Sequence, residues 1–187
     1  FDFLKGRLFN RLKRIEHESL IKKAIGKNKV KLKIFDATAG SLIDSIIFLK
    51  LGHRVVACEQ SKILYRLLDD AILRAKNEYN FFENLSFINS DSAKIVDSHL
   101  DSDIFYFDPM FKDIKQNIKR SGTLQKIGNV LSLERLEDTS QQIFNQMLKE
   151  KYKKIIVKRP IKSNPLHEKI NYQVKGKAIR YDIYIKT

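Results

Sequence analysis

The run Ile104-Phe105-Tyr106-Phe107, closed at once by Asp108-Pro109-Met110-Phe111, narrows the possible folds more than any other part of the chain. Consecutive apolar residues bounded by an acid and a proline describe a short strand buried on both faces. Such strands belong to parallel sheets with helices packed on either side. Proline stiffens the turn and lacks the N–H that would continue the ladder. Asp108 is therefore predicted at the carboxyl end of a strand, on the rim where open α/β sheets bind ligands.

The remaining elements fit that sheet. Phe9 to Gly26 has helical spacing of Leu12, Ile15, Leu20, Ile21, Ala24 and Ile25, and its closing glycine suits a left-handed cap. Lys33 to Ala37 reads as a first strand and Ser41 to Leu51 as a helix stopped by Gly52. Arg54 to Cys58 is a second strand ending in Glu59, and Ser61 can cap a helix through Ala75. Leu85 to Asn89 and Asp103 to Phe107 are the third and fourth strands. Phe111 to Asn129 is polar and basic and reads as a surface segment, Ser132 to Lys149 as a helix, and Lys153 to Val157 as a fifth strand. Lys169 to Lys175 and Ile179 to Lys186 form a closing hairpin around Gly176. Strands alternating with helices and ending in a hairpin predict a doubly wound sheet with an antiparallel edge.

At 187 residues and 43% hydrophobic content, one domain spanning 1–187 is expected. No apolar stretch approaches the length of a membrane helix. Cys58 is the one cysteine, which excludes an internal disulfide and a thiolate zinc site and leads us to expect a reducing, cytoplasmic setting. His17, His53, His99 and His167 lack metal-ligand spacing, so no metal is assigned. The net charge of +14 and pI near 9.8 favour a polyanionic partner, with nucleic acid foremost, because each phosphate paired with Lys or Arg releases condensed counterions.

Asp36-Ala37-Thr38-Ala39-Gly40 puts small residues at a strand end before a helix, which lets a ligand approach the backbone and the positive helix end. A tight turn with no ligand would look the same. Glu59 follows the turn by about the interval at which nucleotide binders place the acid that holds ribose hydroxyls. Asp91 occupies the next rim position, where it can accept from an adenine amine or cap the turn at Ser92. At Asp108, the carboxylate and a backbone carbonyl held by Pro109 suit the protons of an exocyclic amine. Such an amine is a poor nucleophile because its lone pair is delocalised into the ring. Phe111 is placed to stack on the base, an interaction on the order of 1–3 kcal/mol. Lys112, Lys115, Lys158, Arg159 and Lys175 are candidate phosphate contacts.

Together these residues resemble the bacterial small-subunit ribosomal RNA guanine-N2 methyltransferases of the J type. The resemblance covers nearly the whole chain. It is carried by Asp2-Phe3, Asp36 to Gly40, Val55 to Glu59, Leu67-Leu68-Asp69-Asp70, Asp108 to Phe111, Val157 to Pro160, Lys175-Gly176 and Tyr181 to Tyr184. It implies a Rossmann-like class I methyltransferase, a mostly parallel seven-stranded sheet with a C-terminal antiparallel hairpin. It further implies S-adenosylmethionine as cofactor and a guanosine near the 3′ end of 16S rRNA as target. By position it assigns cofactor contacts to Ile43, Asp44, Glu59, Gln60, Asp91, Ser92 and Asp108 beside the Asp36–Gly40 turn. After Gly40 the family continues Leu-Gly-Arg-Asp, whereas this chain has Ser41-Leu42-Ile43-Asp44, so Leu42 is expected to crowd the backbone approach to the cofactor. The N-terminal region of longer members is expected to be absent. The Asp-Pro-x-Phe motif is also similar to that of adenine-N6 methyltransferases, and a non-catalytic RNA-binding relative is a further alternative.

Overall fold

The computed structural model describes residues 1–27, 30–109, 122–136, 138–150 and 152–186, with 122–126 by backbone alone. Met110, Phe111, Lys112 and Lys115 lie outside the described residues. The apolar run is strand β4 (Ile104–Phe107), and all four of its residues are buried. Ile104 and Tyr106 enter one core while Phe105 and Phe107 enter the other, as a strand covered on both faces requires.

The other strands are β1 (Lys33–Asp36), β2 (Arg54–Glu59), β3 (Leu85–Asn89), β5 (Lys154–Pro160), β6 (Tyr172–Lys175) and β7 (Ile179–Ile185). They form one seven-stranded sheet in the order β3-β2-β1-β4-β5-β7-β6. Pairing is parallel from β3 to β5 and antiparallel across β5, β7 and β6. The expected closing hairpin is present, with the Gly176 N–H donating to the Ile179 carbonyl at 2.8 Å. Strand order reverses between β1 and β4, which opens a crevice above their carboxyl ends.

Helices α1 (Gly6–Lys13), α2 (Ser19–Ile25), α3 (Ile43–Lys50) and α4 (Lys62–Lys76) cover one face, with buried residues from each in its core. Helix α6 (Ser140–Lys149) supplies Ile143, Phe144 and Met147 to the other face. Helix α5 (Gly122–Leu133) precedes it.

Two expectations are corrected. The leading helix is broken at Arg14, whose ψ is +39°, and a one-turn helix at Ile15–His17 separates α1 from α2. Arg11 clamps the break, its Nε and Nη2 donating to Glu18 at 2.7 and 2.9 Å. One unbroken helix could not turn both Leu8/Leu12 and Ile21/Ala24/Ile25 onto the sheet. The helix expected over Ser132–Lys149 is likewise two helices, and the surface segment expected to reach Asn129 is already helical from Gly122.

Leu42 reaches the αL region, with φ 60° and ψ 8°, where glycine is ordinarily found. Its side chain turns down into the core and is fully buried, and Leu42 is not among the residues lining the crevice. Leu42 therefore does not obstruct the crevice. Leu42→Gly exchanges about 1–2 kcal/mol of backbone strain for the loss of a buried side chain that contributes about 2–5 kcal/mol. The variant is expected to be less stable by about 1–3 kcal/mol in chemical denaturation, with cofactor affinity unchanged.

Candidate functional site

The crevice at the switch point has a volume of about 400 Å³, within the range of small-molecule sites. Its floor is the continuation of β1, which interlocks the neighbouring strand ends. Ala37 N–H donates to the Tyr106 carbonyl and Ala39 N–H to the Cys58 carbonyl, both at 3.0 Å. Gly40, at φ 51°, turns its N–H onto Glu59 Oε2 at 3.0 Å, while Ser61 N–H donates to Glu59 Oε1 at 2.8 Å. Glu59 thus ties the glycine turn to the start of α4 and still lines the crevice. Burial pushes its carboxyl up to about 7, against the pull of those two N–H groups.

The third strand contributes Asp91 and Ser92. Asp91 Oδ1 accepts from Ala93 N–H at 3.1 Å, so the capping role is present in a residue that also lines the crevice. The Ser92 hydroxyl donates to the Ala37 carbonyl and stitches β3 to the floor. Gln60, Asp108 and Pro109 complete the lining on the strand side. Thr38, given no role by the sequence pattern, fixes the Asp108 backbone, whose N–H donates to Thr38 Oγ1 at 2.7 Å.

Asp36, Ile43 and Asp44 do not line the crevice. Asp36 is a buried brace for the turn, accepting from Ser45 Oγ at 2.5 Å and Thr38 N–H at 3.0 Å. Ile43 packs against the core. Asp44 Oδ2 accepts from the Tyr106 hydroxyl at 2.5 Å and from Lys158 Nζ at 2.7 Å. Lys158 Nζ also donates to Asp108 Oδ2 at 2.8 Å. Burial pushes Asp44 up, but Lys158 and Tyr106 outweigh it and hold Asp44 below the usual carboxylate range. For Asp108 burial wins over the single cation and raises it.

Two of the candidate phosphate contacts are corrected. Lys158 is spent on the two carboxylates, and Arg159 is buried, donating to Ser163 Oγ at 3.2 Å and the Asn164 carbonyl at 2.6 Å. Strand β5 runs on to Pro160, so both positions lie inside the sheet rather than beyond its end. Lys175 is exposed on the edge strand.

The opposite wall comes from α5 and α6 and the link between them: Ile127, Leu131, Leu136 and Ile143, with Arg135 at the turn. Glu134 pins this wall to α4, accepting from the Ser61 hydroxyl and from Ile63 N–H at 3.2 Å. A carboxylate there also suits the positive end of α4. Sequence spacing gave no signal for this contact, because Ser61 and Glu134 are 73 residues apart. Among the described residues no cluster of three or more His, Cys, Asp or Glu is placed to hold a metal, and no helix is long and apolar enough to cross a membrane.

Three carboxyls raised by burial, Asp36, Glu59 and Asp108, weaken the fold as pH rises. Burial raises Asp36 from 3.8 to about 7 and Glu59 from 4.5 to about 7. The folded chain therefore retains protons that the unfolded chain has released, and this stability is present at low pH and lost as pH rises through 7. Burial lowers His53 and His99 from 6.5, an opposing effect that sets in only below that pH. Asp44, Asp101 and Asp103 are held low and act only in the acid range below 3.8. The denaturation midpoint of the ligand-free chain is expected to rise from about pH 8.5 to about pH 6.5, measured by urea titration across that window.

A family model described as "Putative SAM-dependent methyltransferase" matches residues 1–186. The chain is 30% identical over 189 residues to the ribosomal RNA small subunit methyltransferase J of Francisella philomiragia, covering 98% of this chain and 78% of that one. To the protein of the same name in Bdellovibrio bacteriovorus it is 30% identical over 174 residues, covering 89% of this chain and 65% of the relative's length. In architecture it is similar to the crystal structure of a SAM-dependent methyltransferase from Neisseria gonorrhoeae, with a TM-score of 0.72 at 23% identity, covering 98% of this chain and 73% of that one.

Proposed function

The chain belongs to the SAM-dependent methyltransferase family, and from that premise we propose that it methylates the exocyclic N2 amine of a guanosine near the 3′ end of 16S ribosomal RNA. The observation that carries this reading is Asp108-Pro109 at the end of β4, on the floor of a crevice whose other strand ends present Gly40, Glu59 and Asp91. The names of the J-type relatives support small-subunit rRNA as the substrate. The net charge of +14 supports a polyanionic one.

The crevice fits S-adenosylmethionine in volume and donor set. Glu59 offers a carboxylate to the two ribose hydroxyls, Asp91 an acceptor to the adenine amine, and Gly40 an unobstructed backbone. Leu64, Ile127 and Leu131 supply apolar surface, which suits a ring held between the strand ends and the α5 wall. Bound there, the cofactor supplies a methyl carbon made electrophilic by its positive sulfur.

The work of the protein is to make an unreactive amine reactive. Asp108 and the carbonyl preceding the Pro109 ring accept hydrogen bonds from its two N–H groups, which draws the nitrogen lone pair out of conjugation. Holding both partners in one crevice converts an encounter between them into a unimolecular step. Lys175 remains a candidate contact for an RNA phosphate on the same rim, and the cytoplasm is the compartment where the substrate is found.

The test is incubation of the purified chain with labelled donor and small-subunit rRNA lacking the modification, followed by digestion and mass spectrometry of the nucleosides. N2-methylguanosine is expected. N6-methyladenosine would replace the target, and a folded chain that binds cofactor but modifies no base would reduce it to an RNA-binding relative.

A further inference from the structure

Lys158 of β5 carries its ammonium to Asp108 at the crevice floor. Its ammonium bridges Asp44 Oδ2 at 2.7 Å and Asp108 Oδ2 at 2.8 Å, and the Tyr106 hydroxyl reaches the same Asp44 oxygen at 2.5 Å. Three elements meet there: α3 through Asp44, β4 through Tyr106 and Asp108, and β5 through Lys158. Among the described residues no hydrogen bond reaches Asp108 Oδ1, although Asp108 lines the crevice and its backbone is held by Thr38.

We propose that Lys158 is a positioning residue: it binds Asp108 Oδ2, leaves Oδ1 to accept a proton of the target amine, and supplies the positive charge that lets this buried acid carry its negative one. Asp44 and Tyr106 hold Lys158 in turn. The inference rests on Asp108 being the contact of the target amine.

The groups around Asp108 make Lys158 hard to replace. Asp36 faces it from β1, Asp44 from α3, Tyr106 from its own strand and Tyr181 from β7. Each is either negative or neutral. Arg11 of α1 acts on the cluster through Asp44, but its guanidinium is bonded to Glu18. Without Lys158, Asp108 would be a buried acid beside a second acid, and such a pair keeps a proton. When the amine N–H bond breaks, an O–H bond must form at Oδ1 before the proton passes to solvent. A carboxyl that already holds a proton cannot accept it.

Lys158→Met and Asp44→Asn separate this role from a structural one. Carbon-13 NMR of the aspartate carboxyls, with Asp108→Asn to assign the signal, reads the charge of Asp108 directly. In Lys158→Met the Asp108 midpoint is expected to move up by about 1–3 units. In Asp44→Asn it is expected to move down, because a repelling charge is gone and Lys158 remains. The second variant carries the test if the first does not fold. With rRNA, Lys158→Met is expected to lose about 100-fold in kcat at pH 7 and regain at least about tenfold by pH 9, with KM and S-adenosylhomocysteine affinity nearly unchanged.

An unmoved Asp108 midpoint, or a loss equal at every pH, overturns the inference while methylation by the wild type leaves the function standing. A wild-type chain that binds cofactor and methylates no rRNA overturns the function, and the inference falls with it.

Discussion

Asp108→Ala is expected to lower methyl transfer to rRNA by about a thousandfold and to leave the affinity for S-adenosylhomocysteine within about threefold of wild type. The magnitude follows from what the carboxylate is asked to do. Removing one preorganised group that stabilises charge at a reacting centre costs on the order of 10²–10³ in rate, and here the same group also receives the proton. The fold is expected to tolerate the change, because Lys158 keeps Asp44 as its partner and Asp44 keeps Tyr106. Single-turnover assays with labelled donor measure the rate, and calorimetry measures the affinity. Activity near the wild-type level in Asp108→Ala would remove the central assignment.

Glu59→Gln produces the largest expected loss of cofactor binding, about 100-fold in the dissociation constant. Two backbone donors, Gly40 N–H and Ser61 N–H, approach the two oxygens of this carboxylate. An amide has one oxygen to offer and sets its own NH₂ against the remaining donor. The variant therefore loses a charge-assisted hydrogen bond within the turn as well as acceptor capacity toward ribose, each about 1.5–3 kcal/mol. The pH dependence is a second signature. Burial raises Glu59 to about 7, so in the wild type a proton taken up below that pH must be released before the carboxylate can accept hydroxyls. S-adenosylhomocysteine binding is expected to weaken from pH 8 to pH 6 in the wild type and to vary little in Glu59→Gln, where no carboxyl titrates. Calorimetric titration at three pH values checks both outcomes; equal pH slopes in the two proteins would assign the titration to another group.

The two variants act on different parts of one crevice. Glu59 ties the glycine turn after β1 to the start of α4, and Asp108 occupies the end of β4, joined to that turn through Thr38. Loss of binding without loss of chemistry in one, and the reverse in the other, is the pattern expected of a donor site and an acceptor site sharing a floor.

Much of this arrangement was already written in the chain. Parallel strands buried on both faces leave a run such as Ile104–Phe107 with no polar position, and the acid and proline that follow it mark the rim, so β4 and Asp108 are local properties. The same holds for Gly40, Glu59, Gln60 and Asp91, which stand next to strand ends and line the crevice once those strands are parallel. The role of a basic residue after a strand is not local. Lys158 reads as a phosphate contact until β4, β5 and α3 are assembled, because its partners Asp108 and Asp44 are 50 and 114 residues away.

Helix ends show the same division. The helical apolar spacing that joins Phe9 to Gly26 does not reveal that two faces must reach the sheet, and only their packing forces the break clamped by Arg11 and Glu18. Leu42 in the αL region runs against its own propensity, and the core that receives its side chain supplies the compensation. The α5 wall depends on Glu134 finding Ser61 and the first turn of α4. By itself the sequence determined the periodic elements and the residues at strand ends, because hydrophobic period and turn chemistry act over a few neighbours. Which charges face each other, which helix closes the crevice, and which cation is paired in the interior rather than exposed were decided only by tertiary structure, because burial and long-range pairing set the energy of a charge.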